Sequence, residues 1–391
     1  MKVLVLSGAA YGDPARRKVL DHVAHDGVEV TLALPRIVQH PFLPAGEVPD
    51  TPWPTPGVRL VRLDLWRTHG NDTHIVVKGL ADLIRKTGPD LIHCALEPWS
   101  IMCLQALSAI RQMRPRPVFG VQACETKPEQ GGAIARAVRQ RLFRRVLRRS
   151  DFFIGWSTPV IRAATRMGLN GQVTCVAPGI GIDPDEFAAL GSAHRSLVRR
   201  ELRCDDAAFI VGYAGRLVEE KGVFDLVRAM DAVTAARPAV RLVMIGDGPA
   251  RAQVAALAAS RPWLSLVHKR GRAEMARILG AIDLFVLASR TTPSWEEQFG
   301  MVLAESMSAS LPIVGSSSGA IPEVVGEGGW IFPEGDIEAL TRRIACAVEN
   351  PSELKCKSLA ARERARVHFS DEAVARELLR TWREAARKAR A

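Results

Sequence analysis

The sequence predicts an α/β protein built from two doubly wound parallel sheets, one in each of two domains. Three observations predict it. At 391 residues the chain exceeds the roughly 250 to 300 residues at which a single hydrophobic core stops growing. Short, near-continuous apolar runs alternate with segments of helical period, as expected of parallel strands covered on both faces by crossover helices. The alternation pauses between residues 180 and 205 and restarts at FIVGYAGR (209–216). The domains are therefore placed at 1–190 and 191–370, followed by a last segment, 371–391.

In the first domain the strands are expected at 2–7, 28–34, 58–64, 90–96, 118–123, 152–157 and 173–178. Each is an apolar stretch of strand length, suited to burial on both faces. Seven prolines fall between Pro35 and Pro56, so that stretch reads as a long irregular loop. In the second domain, after the strand within 209–216, strands are expected at 240–246, 264–270, 283–289, 311–316 and 329–333. Sheets of this kind bind ligands at the carboxyl ends of their strands, so the following loops are where chemistry is sought.

Composition sets the class. With 47% hydrophobic and 24% charged residues, the chain suits a soluble globular protein. No run of about 18 apolar residues occurs, and the apolar run at the N-terminus reads as a first strand rather than a signal peptide. Seven cysteines lie scattered with no C-x-x-C pair, which indicates neither a disulfide framework nor a zinc site. A reducing, cytoplasmic location follows. The formal net charge of +11 points to anionic partners without choosing among them.

The densest constellation runs from Arg290 to Gly329. Glu297 and Glu305 stand eight residues apart with Phe299-Gly300 between them, and a helix is expected to start at Gly300 or Met301. A helix start offers unpaired N–H groups and a positive dipole end. The two carboxylates could accept hydrogen bonds from ligand hydroxyls; equally, Glu305 could be a helix charge and Glu297 a solvated loop charge. A second constellation, GYAGRLVEEKG, places Gly215, Arg216 and Lys221 in one strand-to-helix loop, where a phosphate would gain two cations and a helix N-terminus. Gly246 and Gly248 of GDGPAR, and HKRG (268–271), lie at carboxyl edges of the same sheet. Neither GDGPAR nor SGAAYGD, which contains Gly8, is a G-x-G-x-x-G fingerprint, so a nicotinamide or flavin enzyme is disfavoured.

The combination of GRLVEEKG, EEQFGMVLAE and SGAIPEVVGEGG resembles the retaining glycosyltransferases of family 4 (glycosyl transferases group 1), which have the GT-B fold. The strong motifs cover residues 209–336, with a looser likeness over nearly the whole chain. The resemblance implies two Rossmann-like domains facing a central cleft, with the helix of 371–391 packing back on the N-terminal domain. It implies transfer of a hexose-type sugar from a nucleotide-diphosphate sugar to a hydroxyl acceptor, with retention, no metal and no cofactor. Arg216 and Lys221 would contact the donor diphosphate, Glu305 the ribose, and Glu297 with the Phe299 and Gly300 amides the donor sugar. Gly215, Gly246, Gly248, Gly8 and, near the base, Arg270 complete the donor-binding set.

On the acceptor side this sequence departs from the family pattern. Many relatives carry a histidine at the end of the fifth strand, whereas VFGVQACE places Gln122 there. An amide can hydrogen-bond a sugar but cannot act as an acid. His93 and Glu97, at the end of the preceding strand, are the nearest titratable substitutes, and either could instead satisfy local backbone groups.

Arg136 to Arg149 form a cationic amphipathic helix with an apolar stripe at Val138, Leu142 and Val146. Two readings stand: the stripe packs into the domain, or the helix contacts an anionic membrane peripherally, at its inner face. Nucleic-acid binding is disfavoured by the absence of a helix-turn-helix or zinc-finger spacing and by only 6% aromatic residues. Another two-Rossmann enzyme, a nucleotide-sugar epimerase or a phosphorylase, is the nearer rival.

Overall fold

A computed structural model of the protein describes all residues except 9–10, 41–42, 49–52, 54, 68–73, 128–131, 188–190, 269–270 and 391. The chain divides into two compact units, Met1–Gly181 with Asp371–Ala391, and Ile182–Ser370.

The strands of the first unit are β1 (Lys2–Ser7), β2 (Glu29–Pro35), β3 (Ile37–His40), β4 (Leu43–Glu47), β5 (Val58–Leu63), β6 (Leu65–Arg67), β7 (Val76–Val77), β8 (Leu91–Ala95), β9 (Val118–Ala123), β10 (Phe152–Gly155) and β11 (Val173–Val176). Seven make one sheet in the order β11-β10-β9-β8-β1-β2-β5. Its neighbours pair in parallel. Val3, Leu4, Val5 and Leu6 are all buried, because helices cover both faces and leave no polar side for the strand to alternate onto.

One expectation fails here. Within the proline-rich stretch, β3 and β4 form an antiparallel hairpin with Ile37 opposite Glu47. A two-stranded ribbon leaves one edge of each strand unpaired, so Pro44 in β4 does not have to sacrifice a ladder hydrogen bond.

The last helix, Asp371–Arg390, belongs to the first unit. It buries Val374, Leu378, Trp382 and Ala385, a stripe at helical spacing, over β9, β10 and β11 and beside the helix Lys18–His25. On the basic helix, Ala133–Leu147, the buried stripe is Phe143, Val146 and Leu147. Val138, expected in it, is 52% exposed, and Ile134 is 83% exposed. Among the described residues, the face of its first turns that carries Ile134 and Val138 is left uncovered. Among the described residues no helix is long and apolar enough to cross a membrane.

The second unit holds β12 (Phe209–Ala214), β13 (Val240–Ile245), β14 (Leu264–Val267), β15 (Leu284–Leu287), β16 (Ile313–Ser316) and β17 (Gly329–Phe332). Their order is β14-β13-β12-β15-β16-β17. Strand order therefore reverses between β12 and β15. Such a switch point opens a crevice at the carboxyl ends of the two strands, because the connections leave in opposite directions.

Candidate active site

Two loops meet at that switch point, residues 215–222 after β12 and 288–300 after β15. The first is held down by its neighbour. Gly215 N donates to Ile245 O, Leu217 N to Asp247 O and Ala250 N to Leu217 O. A Cβ on Gly246 would stand 1.9 Å from Gly215 O, and one on Gly248 2.5 Å from Leu217 O. These glycines thus let two backbones lie flush, and the packing alone requires them. Lys221 ends a short 3₁₀ turn, Glu219–Lys221, immediately before the helix Val223–Ala236. Arg216 is exposed at the start of the loop.

Lys221 and Glu297 are brought together. Lys221 Nζ donates to both carboxylate oxygens of Glu297, at 2.9 and 2.7 Å, and Ser289 Oγ donates to Glu297 Oε2 at 2.7 Å. The ammonium also lies 4.7 Å from the centre of the Trp295 ring, a favourable cation–π contact. Glu297 is only 5% exposed. A carboxylate so buried needs such partners, since an unpaired ion there would cost several kcal/mol. Its peptide is fixed as well: Ala320 N donates to Glu297 O, and a side chain at Gly319, whose φ is 53°, would stand 2.1 Å from that oxygen.

The loop carrying Glu297 is anchored at its root by a pair that sequence reasoning missed. Arg290 forms a bidentate ion pair with Asp225, both contacts at 2.5 Å, and Arg290 N donates to Glu220 O. Sixty-five positions separate the partners, and an acid in the first turn of a helix already has a local explanation in the helix dipole.

Phe299 is buried and meets Phe369 edge to face at 5.4 Å. Its ring therefore serves packing. Gly300 caps the helix Met301–Ser308, whose second turn carries Glu305. Arg272 Nη1 lies 3.5 Å from Glu305 Oε1. Arg272 was also missed, two positions beyond Arg270, which itself lies outside the described residues. Tyr213 OH donates to Arg216 O at 2.6 Å, and burial followed by the nearby Glu297 charge pushes its pKa up, so it stays a neutral donor.

In the first unit, Gly8 is buried directly after β1. His93 departs from its expected place at a strand end. It lies inside β8, fully buried, with its ring edge to face with Phe152 at 5.7 Å and Trp382 at 5.5 Å. Burial lowers its pKa to about 3, outweighing the Gln122 side chain beside it, so it remains neutral. Gln122 is sealed too: its amide donates to Pro178 O at 3.2 Å. His93 thus faces the last helix, whereas Gln122, next to last in β9, does lie near the carboxyl edge of the sheet. Glu97 sits at that edge too. Its Oε1 accepts from Cys124 N, Glu125 N and Cys124 Sγ. Burial first, then the Glu125 charge, raises its pKa to about 7. Among the described residues no group of three or more His, Cys, Asp or Glu could hold a metal ion.

The family described as "Glycosyl transferases group 1" matches residues 195–366, and that described as "Glycosyl transferase 4-like domain" matches residues 14–179. A GDP-mannose-dependent monoacylated alpha-(1-6)-phosphatidylinositol monomannoside mannosyltransferase of Corynebacterium glutamicum is 28% identical over 194 residues, 49% of this chain and 51% of that protein. The chain thus spans about half the length of such curated relatives. Among solved structures, a sucrose-phosphate synthase from Thermosynechococcus elongatus superposes with a TM-score of 0.72 at 20% identity, over 98% of both chains. Anabaena HepE in complex with UDP superposes equally, at 0.72 and 18% identity, over 98% of this chain and 100% of that one.

Proposed function

The chain belongs to the group 1 glycosyl transferases and has the GT-B fold, and from that premise we propose that it transfers a hexose-type sugar from a nucleotide-diphosphate sugar to a hydroxyl acceptor, with retention. The buried Lys221–Glu297 pair at the switch point carries the reading. It joins a cation on a helix-initiating loop to a carboxylate fixed by a neighbouring loop, which suits a donor with a diphosphate at one end and a polyol at the other.

In this mechanism Arg216 and Lys221 stabilise negative charge as it builds on the departing diphosphate, an interaction stronger in the transition state than in the bound donor. Charge neutralisation then falls to side chains, and no metal takes part. Glu297 and the Phe299 and Gly300 amides orient the donor sugar. The acceptor oxygen bonds to the anomeric carbon on the face from which the diphosphate oxygen departs, and that departing oxygen takes the acceptor proton, which dispenses with a protein base. Glu305 binds the ribose.

A thermal-shift panel of UDP, GDP, ADP and their sugars tests the reading. A true donor at a hundredfold excess over Kd should stabilise by about 2.7 kcal/mol. The corynebacterial relative is named for GDP-mannose and the Anabaena structure holds UDP, so both belong in the panel. If no nucleotide or nucleotide sugar raises the melting point, the reading fails. An epimerase would turn over the donor without an acceptor, whereas this enzyme should release nucleotide when an acceptor hydroxyl is supplied.

The exposed apolar start of the helix Ala133–Leu147, among arginines, favours a second property: peripheral contact with an anionic membrane at its cytoplasmic face, which would suit a lipid-linked acceptor. Vesicle cosedimentation tests it.

A further inference from the structure

The ribose-binding role of Glu305 leaves open what holds its carboxylate in place. The helix Met301–Ser308 carries Glu305 on its second turn. Arg272 opens the helix Arg272–Leu279, directly after the loop that follows β14. Its Nε donates to Glu186 Oε2 at 2.6 Å, its Nη1 lies 3.5 Å from Glu305 Oε1, and its guanidinium stands 5.2 Å from the centre of the Phe187 ring. Phe187 is buried, and the Arg272, Glu186 and Glu305 side chains are each about one-fifth exposed.

The three contacts divide the work. The planar guanidinium lies against an aromatic ring, and the short pair with Glu186 fixes its remaining rotation, so most of the entropy cost of ordering a long arginine is met before any ligand arrives. The contact with Glu305 is longer, which makes Glu186 the anchor and Glu305 the group being steered. A carboxylate held in one orientation can accept from both of two vicinal hydroxyls.

We propose that Arg272, anchored by Glu186 and Phe187, is the positioning residue for the Glu305 carboxylate and so sets how strongly the site selects ribose hydroxyls. The inference rests on the nucleotide-sugar reading above. It extends the donor site to the segment Asp183–Phe187, which carries none of the residues expected to touch the donor.

The test measures binding by titration calorimetry of UDP, GDP and ADP to the full chain, then of the 2′,3′-dideoxy form of whichever binds. Losing hydrogen bonds to a charged acceptor should weaken the dideoxy form by about tenfold or more in the wild type. Arg272→Ala should bring that preference close to unity while changing the dideoxy Kd less than about twofold, because only the ribose contact depends on Arg272. Glu186→Gln should lower the preference partway, and it carries the test alone if Arg272→Ala does not fold. Arg272→Lys should not restore it, since an ammonium cannot engage both carboxylates through one rigid fork. An undiminished preference in Arg272→Ala and Glu186→Gln overturns the inference. So does equal weakening of both ligand forms, which would mean a base, phosphate or folding role. If none of the three nucleotides binds the wild type, the functional reading falls and takes this inference with it; if they bind and only the preference fails to move, the functional reading stands.

Discussion

Lys221 and Glu297 neutralise each other in the absence of donor, so a substitution at either affects fold and turnover at once. Lys221→Met keeps the apolar stem and leaves Glu297 unpaired. A cost of about 3 kcal/mol in urea denaturation is expected, together with a fall in turnover of roughly 10²- to 10³-fold. The double variant Lys221→Met/Glu297→Gln should regain most of the stability and none of the turnover, and near-normal turnover in Lys221→Met would remove the lysine from the mechanism. Glu97 offers a prediction of the opposite kind. Its carboxyl is raised to about 7, whereas in the unfolded chain it releases its proton near pH 4.3. Between those values the folded state binds more protons, so stability falls as pH rises and levels off above about pH 7. Replacing Glu97 with Gln should remove a slope worth on the order of 3 to 4 kcal/mol. Parallel stability–pH curves for wild type and Glu97→Gln would show that the carboxyl does not titrate there. No sequence pattern announced this. The protonation state of Glu97 depends on Cys124 and Glu125 arriving from the next strand, and the neutrality of His93 on a tryptophan almost three hundred positions away.

Elements were far more legible than side-chain pairings. Strands covered on both faces are written as unbroken apolar runs, and every strand of both sheets lies where such a run predicts it. The same lack of alternation hid the orientation of His93, since a run buried on both faces does not reveal which layer a residue points into. Prolines concealed the hairpin of β3 and β4. Lys221, Glu297 and the start of the helix Met301–Ser308 were visible because each lies in or at the end of a loop that follows a legible strand. The Asp225–Arg290 anchor was not, because it joins the first turn of one helix to the root of a distant loop. That anchor should matter for donor binding. Asp225→Asn keeps an oxygen acceptor but loses the charge and the second parallel bond. Donor KM should rise about tenfold with a smaller change in kcat, as expected when an ordered binding loop must be reordered by the ligand. Faster amide exchange confined to residues 290–300 should accompany it. Unaltered KM and exchange would mean the loop is held by its other contacts alone.

At the scale of the whole molecule, the excess of 53 basic over 42 acidic residues leaves a positive field whose use depends on where it is concentrated. Between Gly132 and Ser150 there are seven arginines and no acid. Six of them, Arg136, Arg141, Arg144, Arg145, Arg148 and Arg149, are exposed. Core packing accounts for Phe143, Val146 and Leu147. It does not account for Ile134 and Val138, which meet water on the same helix as the arginines. A membrane surface would account for both: anionic headgroups would attract each nearby arginine by about 1 kcal/mol, and the two apolar side chains would enter the boundary below them. The chain should therefore sediment with vesicles carrying about 30% anionic lipid at low salt, and be released as the Debye length falls to about 3 Å near 1 M salt. Arg141→Glu/Arg145→Glu should weaken that binding sharply without altering the thermal shift given by a donor nucleotide. Ile134→Asp should weaken it even at low salt, where charge alone would have sufficed. A chain that ignores anionic vesicles at low ionic strength would leave these arginines as a solvated face, and the acceptor would then have to be sought in solution.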